Sequence, residues 1–139
     1  MSEAFATGRC LCGAVSYTMS SDPVRMAQCH CDHCQRTSGT GHNSIAFFKA
    51  DTVDIKGETQ SYSCITDRGN TSTRHFCPTC GSRLFGENSG RPGVIGVTIG
   101  CVDQKNWFKP QAVVYTRSRP SWDATSRDIP NFETMPPPA

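Results

Sequence analysis

Three cysteines within six residues, Cys29-His30-Cys31-Asp32-His33-Cys34, are the densest chemistry in the chain. Packing does not account for them, since in an extended segment Cys29 and Cys31 share a face and Cys34 falls on the other. In a curled loop all three sulfurs converge on one point. Thiolates that close repel one another unless a cation lies between them, and the soft ion they select is zinc. The loop therefore predicts a metal site with three protein sulfurs and a fourth position for another residue, a water or a substrate. His30 and His33 lie between the cysteines, and either could close the site as a set of three sulfurs and one imidazole. A residue flanked by two ligands points away from the metal, however, which argues against both.

A second signal is Cys77-Pro78-Thr79-Cys80-Gly81. A tight turn brings both thiolates to one metal, Pro78 fixes a backbone dihedral, and Gly81 permits the conformation in which N–H groups point at sulfur. One such knuckle supplies two ligands, and a closed tetrahedral site needs two more. They come either from Cys10 and Cys12, within Gly8-Arg9-Cys10-Leu11-Cys12-Gly13, or from two members of the triplet. The first pairing is preferred because it uses every ligand and leaves the triplet whole, although spacing alone does not fix it. A structural four-cysteine zinc so formed clamps segments near the two ends of the chain and stabilises the fold by about 10 kcal/mol or more. Cys64 and Cys101 stand in apolar alternating contexts and read as buried core thiols. His42 and His75 read as loop and strand-end residues.

Three thiolates on a divalent ion leave one unit of negative charge. Such an ion is a weaker Lewis acid than one held by neutral imidazoles, so hydrolysis by an activated water is disfavoured. A soft site of this kind instead accepts a substrate thiol, or holds a carbonyl oxygen while a thiol or amine adds to the carbon. No Ser-His-Asp pattern, paired-carboxylate motif, P-loop or dinucleotide fingerprint offers competing machinery. Arg36, Lys49, Arg68 and Arg74 are candidates for binding a substrate carboxylate.

The elements that must position these residues are short strands. The chain has 139 residues, of which 36% are hydrophobic and 19% charged, and its Gly 12 and Pro 9 imply many turns. It reads as one domain over residues 1–139 with an irregular Pro-rich tail from about residue 120. Alternating patterns mark strands at Ala14–Met19, Val24–Gln28, Asn43–Lys49, Thr52–Ile55, Thr59–Ile65, Ser82–Phe85, Val94–Ile99 and Ala112–Thr116. Val94–Ile99 is the most apolar and is expected at the centre of a meander-like sheet. Met1–Gly8 reads as disordered, Gly86–Gly93 as a Gly-rich turn, and Gln35–Gly41 as room for one helical turn. The fold class is mainly β.

Net charge is +2 with no basic run interleaved with aromatics, which argues against nucleic acid. No charged leader precedes an apolar run, and no stretch approaches the roughly 20 apolar residues of a membrane span. The expected location is the cytoplasm. The odd count of nine cysteines and their tight spacing argue against a secreted disulfide framework.

Taken together, Gly8-x-Cys10-x-Cys12-Gly13-x-Val15-x-Tyr17, Cys29-His30-Cys31-x-x-Cys34-Gln35-Arg36-x-Ser38-Gly39 and Phe76-Cys77-x-x-Cys80-Gly81-Ser82-x-Leu84 resemble the glutathione-dependent formaldehyde-activating (GFA) family, whose activity is S-(hydroxymethyl)glutathione synthesis. The tail, Ser118-Arg119-Pro120-Ser121-Trp122 followed by Ile129-Pro130-x-Phe132-Glu133, fits the same pattern. The resemblance implies an Mss4-like fold of twisted antiparallel sheets with two zinc ions per chain. One is structural, at Cys10, Cys12, Cys77 and Cys80; the other is catalytic, at Cys29, Cys31 and Cys34. It implies a carbon–sulfur lyase whose partners are a thiol such as glutathione and an aldehyde such as formaldehyde. Many members of the family carry a histidine after a proline where this chain has Val113, a departure that bears on the substrate more than on the metal sites. The alternative is a non-catalytic, zinc-stabilised binding module of the same fold. The enzyme is favoured because a binding module has no need of an incompletely ligated metal.

Overall fold

The structure, a computed structural model, describes residues 4–136. Ten strands and one short α-helix make up its regular elements: β1 (Ala6–Arg9), β2 (Ser16–Met19), β3 (Arg25–Cys29), α1 (Asp32–Ser38), β4 (Asn43–Lys49), β5 (Val53–Lys56), β6 (Gln60–Ile65), β7 (Thr71–Phe76), β8 (Arg83–Asn88), β9 (Val94–Thr98) and β10 (Ala112–Val114). The period-two pattern of Val15, Tyr17 and Met19 translates directly into burial, all three side chains lying inside. β2 pairs antiparallel with β1 on one side and β5 on the other, giving a three-stranded sheet. The remaining strands form a seven-stranded sheet in the order β10-β3-β4-β9-β8-β7-β6. The fold is thus mainly β and largely antiparallel, as anticipated, with the apolar strand β9 in the middle position.

The main core lies between the two sheets. Tyr17 and Met19 of the small sheet meet Ala46, Phe48, Leu84 and Val97 of the large one, and Cys10 and Cys77 belong to the same cluster. β4 alternates: Ala46 and Phe48 enter this core, whereas Ile45 joins a second cluster with Cys29, Cys34, Val114 and Tyr115. The two groups of cysteines therefore sit in separate apolar clusters, one in the main core and one beyond β4.

Several expectations are corrected. The segment expected to be disordered contains β1, which gains its order from outside itself: Ala6 pairs with Met19, and Thr7 Oγ1 donates to Asp103 Oδ2 at 2.8 Å. Met1–Glu3 lie outside the described residues. β8 runs on through Gly86 to Asn88, so the Gly-rich turn is shorter than expected. The sheet is not a pure meander, because β10 returns after a long excursion to pair parallel with β3. The tail then follows β10, with Val113 N–H donating to Pro130 O and Phe132 N–H to Val113 O. No helix among the described residues is long and apolar enough to cross a membrane.

Candidate functional site

Two related knuckles, closed by hydrogen bonds that span three residues in one and four in the other, create the first cluster. At the end of β1 the chain turns so that Gly13 N–H reaches Cys10 O at 3.2 Å, and Cys10 N–H reaches Val15 O at 3.0 Å. Between β7 and β8 the pattern repeats, Gly81 N–H to Cys77 O at 2.9 Å and Cys77 N–H to Ser82 O at 3.0 Å. Gly13 and Gly81 adopt φ of 83° and 79°, the left-handed turn that a side chain would resist. Backbone N–H groups point at sulfur in both, Val15 to Cys10 Sγ at 3.2 Å and Thr79 to Cys77 Sγ at 3.4 Å. Cys10 and Cys12 thus converge through a turn.

The four sulfurs of Cys10, Cys12, Cys77 and Cys80 lie within 4.8 Å of one another, with Cys10–Cys12 and Cys12–Cys77 each at 3.7 Å. A tetrahedral ion with metal–sulfur bonds of about 2.3 Å spaces its ligands about 3.8 Å apart, so this donor set fits zinc. Crowding shows in the thiols themselves. The Ser82 hydroxyl, helped by backbone N–H groups, holds Cys80 down at about 5. At Cys12 the Ala14 N–H favours the thiolate but is outweighed by burial and three neighbouring sulfurs, which push it up to about 11. A cation is what would allow all four to ionise together.

The second cluster is built at a strand-to-helix junction. β3 delivers Cys29, and Cys31 serves as N-cap of α1, its Sγ accepting the Cys34 N–H at 3.3 Å. The curled loop expected from sequence is therefore half helix: Cys34 lies in the first turn, and α1 ends at Gly39, whose N–H returns to Gln35 O. Capping distance brings the sulfurs of Cys31 and Cys34 together, and Cys29 completes a group within 4.8 Å. Among the described residues no His, Cys, Asp or Glu donor makes a fourth. Hydrogen bonds from Cys29 and Cys34 hold Cys31 down at about 2, with the Arg74 charge adding to them. Cys29 is pushed far up by Cys31, Cys34 and burial. Cys34 rises to about 11, because its hydrogen bond with Cys29 is outweighed by that with Cys31 and by burial. One negative charge is all that three such sulfurs hold unaided, so this donor set also fits a soft divalent ion. Val114, Tyr115, Phe132 and Met135 give the cluster an apolar surround.

His30 and His33 are both turned elsewhere. His30, at 0% exposure, directs Nδ1 to Gly41 O at 2.8 Å and Nε2 to Thr125 Oγ1 at 3.1 Å. Asp123 Oδ2 accepts from His42 Nδ1 at 2.7 Å and lies 3.4 Å from His30 Nδ1. The ligand atoms of His30, His42 and Asp123 are close enough to hold an ion, but hydrogen bonds already occupy them. They form a strap tying the tail to the cysteine loop, so His42 is more than a loop residue. His30→Ala would leave the Gly41 carbonyl unpaired in the interior and empty a packed site. A loss of about 2–4 kcal/mol is expected in denaturant unfolding of the metal-loaded protein, and a change below about 0.5 kcal/mol would contradict the strap. His75, on β7, meets Glu87 Oε1 at 2.6 Å and stacks on Phe85.

Cys64 is not a buried core thiol. It is half-buried on β6, its Sγ 3.7 Å from His33 Nδ1 and 3.6 Å from Arg74 Nη1. Cys101 packs against the main core but is only half-buried, and donates to Arg83 O at 3.2 Å. Of the four basic candidates, Arg36 is exposed and paired with Asp32, Lys49 is exposed at the end of β4, and Arg68 donates to Met135 O. Arg74 alone approaches the triplet. Two residues escaped the sequence reading. Arg83 faces Thr37 of α1, and Tyr115 takes φ 58°, the one non-glycine left-handed residue described, with its hydroxyl on Asp67 Oδ1 at 2.7 Å. Neither position carries a local signal, since both are set by partners distant in sequence. Val113 is fully buried on β10, next in sequence to the Val114 that lines the triplet.

Residues 5–118 match the family model described as glutathione-dependent formaldehyde-activating enzyme. A Halomonas elongata protein provisionally named as such an enzyme is 31% identical over 122 residues, which covers 83% of this chain and 77% of that relative. The fold is similar to a crystal structure of a Rhodobacter sphaeroides protein at TM-score 0.56 and 21% identity, over 70% of this chain and 87% of the other.

Proposed function

The chain belongs to the glutathione-dependent formaldehyde-activating enzyme family, and from that premise we propose that it joins a small thiol of the glutathione kind to a small aldehyde such as formaldehyde. In the reverse sense it is a carbon–sulfur lyase. The reading includes two zinc ions: a structural one held by Cys10, Cys12, Cys77 and Cys80, and a catalytic one held by Cys29, Cys31 and Cys34. The observation that carries it is the three-sulfur cluster with no fourth protein donor among the described residues. A cytoplasmic location belongs to the same reading, since a reducing compartment keeps all the ligand thiols available.

When bound at the triplet, a soft divalent ion supplies a position at which a thiol is held as its nucleophilic thiolate. The chain's own residues do the rest. The Cys34 N–H fixes the Cys31 sulfur at the helix start. Val114, Phe132 and Met135 shield one side from water, which strengthens every charge interaction on the other. His33, between two cysteines of the triplet, is turned to Cys64 through Nδ1, so the proton of the incoming thiol is released to solvent. A proton returned from solvent to the carbonyl oxygen balances the step: a sulfur–carbon bond forms, the C=O double bond becomes C–OH, and nothing is oxidised.

The test is consumption of formaldehyde by the zinc-loaded protein with and without glutathione. Acceleration of at least about tenfold over the uncatalysed rate, seen only when the thiol is present, is the expected result. An unchanged rate at high protein concentration would overturn the named reaction.

A further inference from the structure

Two cations stand beside the three-cysteine cluster without an acid to balance them. Arg74 comes from β7 and Arg83 from the start of β8; both are half-buried, and the Nε of each is buried with no hydrogen-bond partner. Neither makes an ion pair with a carboxylate among the described residues. Arg83 Nη1 donates to Thr37 Oγ1 at 2.7 Å, three residues beyond Cys34, so its guanidinium lies against the side of α1 that carries that sulfur. Arg74 Nη1 donates to Cys64 Sγ, which in turn meets His33 of the same helix.

Burial pulls the Arg83 pKa down while the Cys34 thiolate pulls it back up, and Arg74 repels it. Two like charges partly withdrawn from water are stable only beside an excess of negative charge. The three cysteine thiolates with a divalent ion supply one negative unit, which balances one guanidinium. A second guanidinium is left over.

Building on the function proposed above, we infer that Arg74 and Arg83 are the counter-charge for a fourth, incoming sulfur: the site takes its substrate as a thiolate and selects it by the charge on sulfur. Four thiolates and a divalent ion total two negative units, and the two arginines cancel them. Other charged groups nearby are committed elsewhere. Asp67 accepts from the Tyr115 hydroxyl and lies 3.6 Å from Arg117, and His33 faces Cys64; Arg91 stacks on Phe47 and feels Cys29 and Cys34 only as outlying charges, with no hydrogen bond to either, so it is a background field rather than a partner of the incoming sulfur.

Calorimetry on the zinc-loaded protein tests this, with glutathione and 2-mercaptoethanol as ligands across the neutral pH range. Arg83→Gln and Arg74→Gln are each expected to retain the metal and bind both thiols roughly tenfold to a hundredfold more weakly at pH 7. The pH at which binding sets in should rise by about one unit, because the thiol loses its proton less readily without the cation. Arg83→Lys and Arg74→Lys should recover most of the affinity. A loss confined to glutathione would overturn the inference, since the arginines would then be reading its carboxylates, and so would binding equal to wild type in both Gln variants. Should Arg83→Gln shed the metal, Arg74→Gln, whose contacts avoid α1's backbone, decides alone. Wild-type protein that holds its metal but binds neither thiol would refute the functional reading itself, a separate outcome from variants that bind as wild type does.

Discussion

Cys77→Ser is expected to unfold the protein. Cys77 is fully buried and belongs both to the main core and to the four-sulfur cluster that joins β1's end to the β7–β8 turn. A structural zinc contributes about 10 kcal/mol or more to folding. Domains of this size are stable by only about 5–15 kcal/mol in total. A serine hydroxyl does not ionise near neutral pH, so the substitution removes a ligand and leaves three crowded thiols with no ion between them. Loss of the cooperative thermal transition and of both metals is the expected outcome, and a strong chelator should reproduce it in the wild type. Acid should act in the same direction. Cys80 is depressed from 9.0 to about 5, so the stability its thiolate contributes is complete above the ordinary thiol value and fades as pH falls through about 5. A Cys77→Ser protein with a native melting temperature would show that this cluster is not a structural centre.

Cys31→Ser is expected to behave in the opposite way, folding normally and losing function. The triplet lies in the smaller cluster beyond β4, away from the packing of Tyr17, Met19, Phe48 and Val97. Serine can still cap α1, since its oxygen accepts the Cys34 N–H as well as sulfur does. What it cannot do is carry the negative charge that Cys29, Cys34 and Arg74 concentrate on Cys31. Thiol-dependent formaldehyde consumption should fall by more than about a hundredfold, the upper range for mere outer-shell changes at metal sites. The melting temperature should move by only a few degrees, corresponding to about 1 kcal/mol. Retained activity would remove Cys31 from the reaction.

The cysteine groups themselves were legible in the sequence, because the knuckle and the triplet are local patterns, whereas the pairing of Cys10 and Cys12 with Cys77 and Cys80 is not fixed by spacing. Cys77-Pro78-Thr79-Cys80-Gly81 encodes a turn of known build, and the alternation around Val15 and Val97 encodes which face is buried, whereas in β4, apolar on both faces, it does not. What the sequence hid depends on partners far along the chain. β1 has no strong strand pattern of its own and is ordered by β2 and by Asp103 and Gln104. α1 is too short for a helical period, and its cap is a cysteine rather than the usual Ser, Thr, Asp or Asn. Cys64 read as core because its neighbours alternate, yet β6 is the edge strand and its side chains are largely exposed. Arg83 and Tyr115 acquire their roles through Thr37 and Asp67, contacts of high sequence separation that no local pattern announces.

The central claim is that the clustered cysteines form two centres with different duties. Zinc counted per folded chain tests it most directly. Two ions in the wild type, and one in Cys31→Ser with the fold intact, is the predicted result. A single ion in the wild type, or equal collapse of Cys31→Ser and Cys77→Ser, would contradict it.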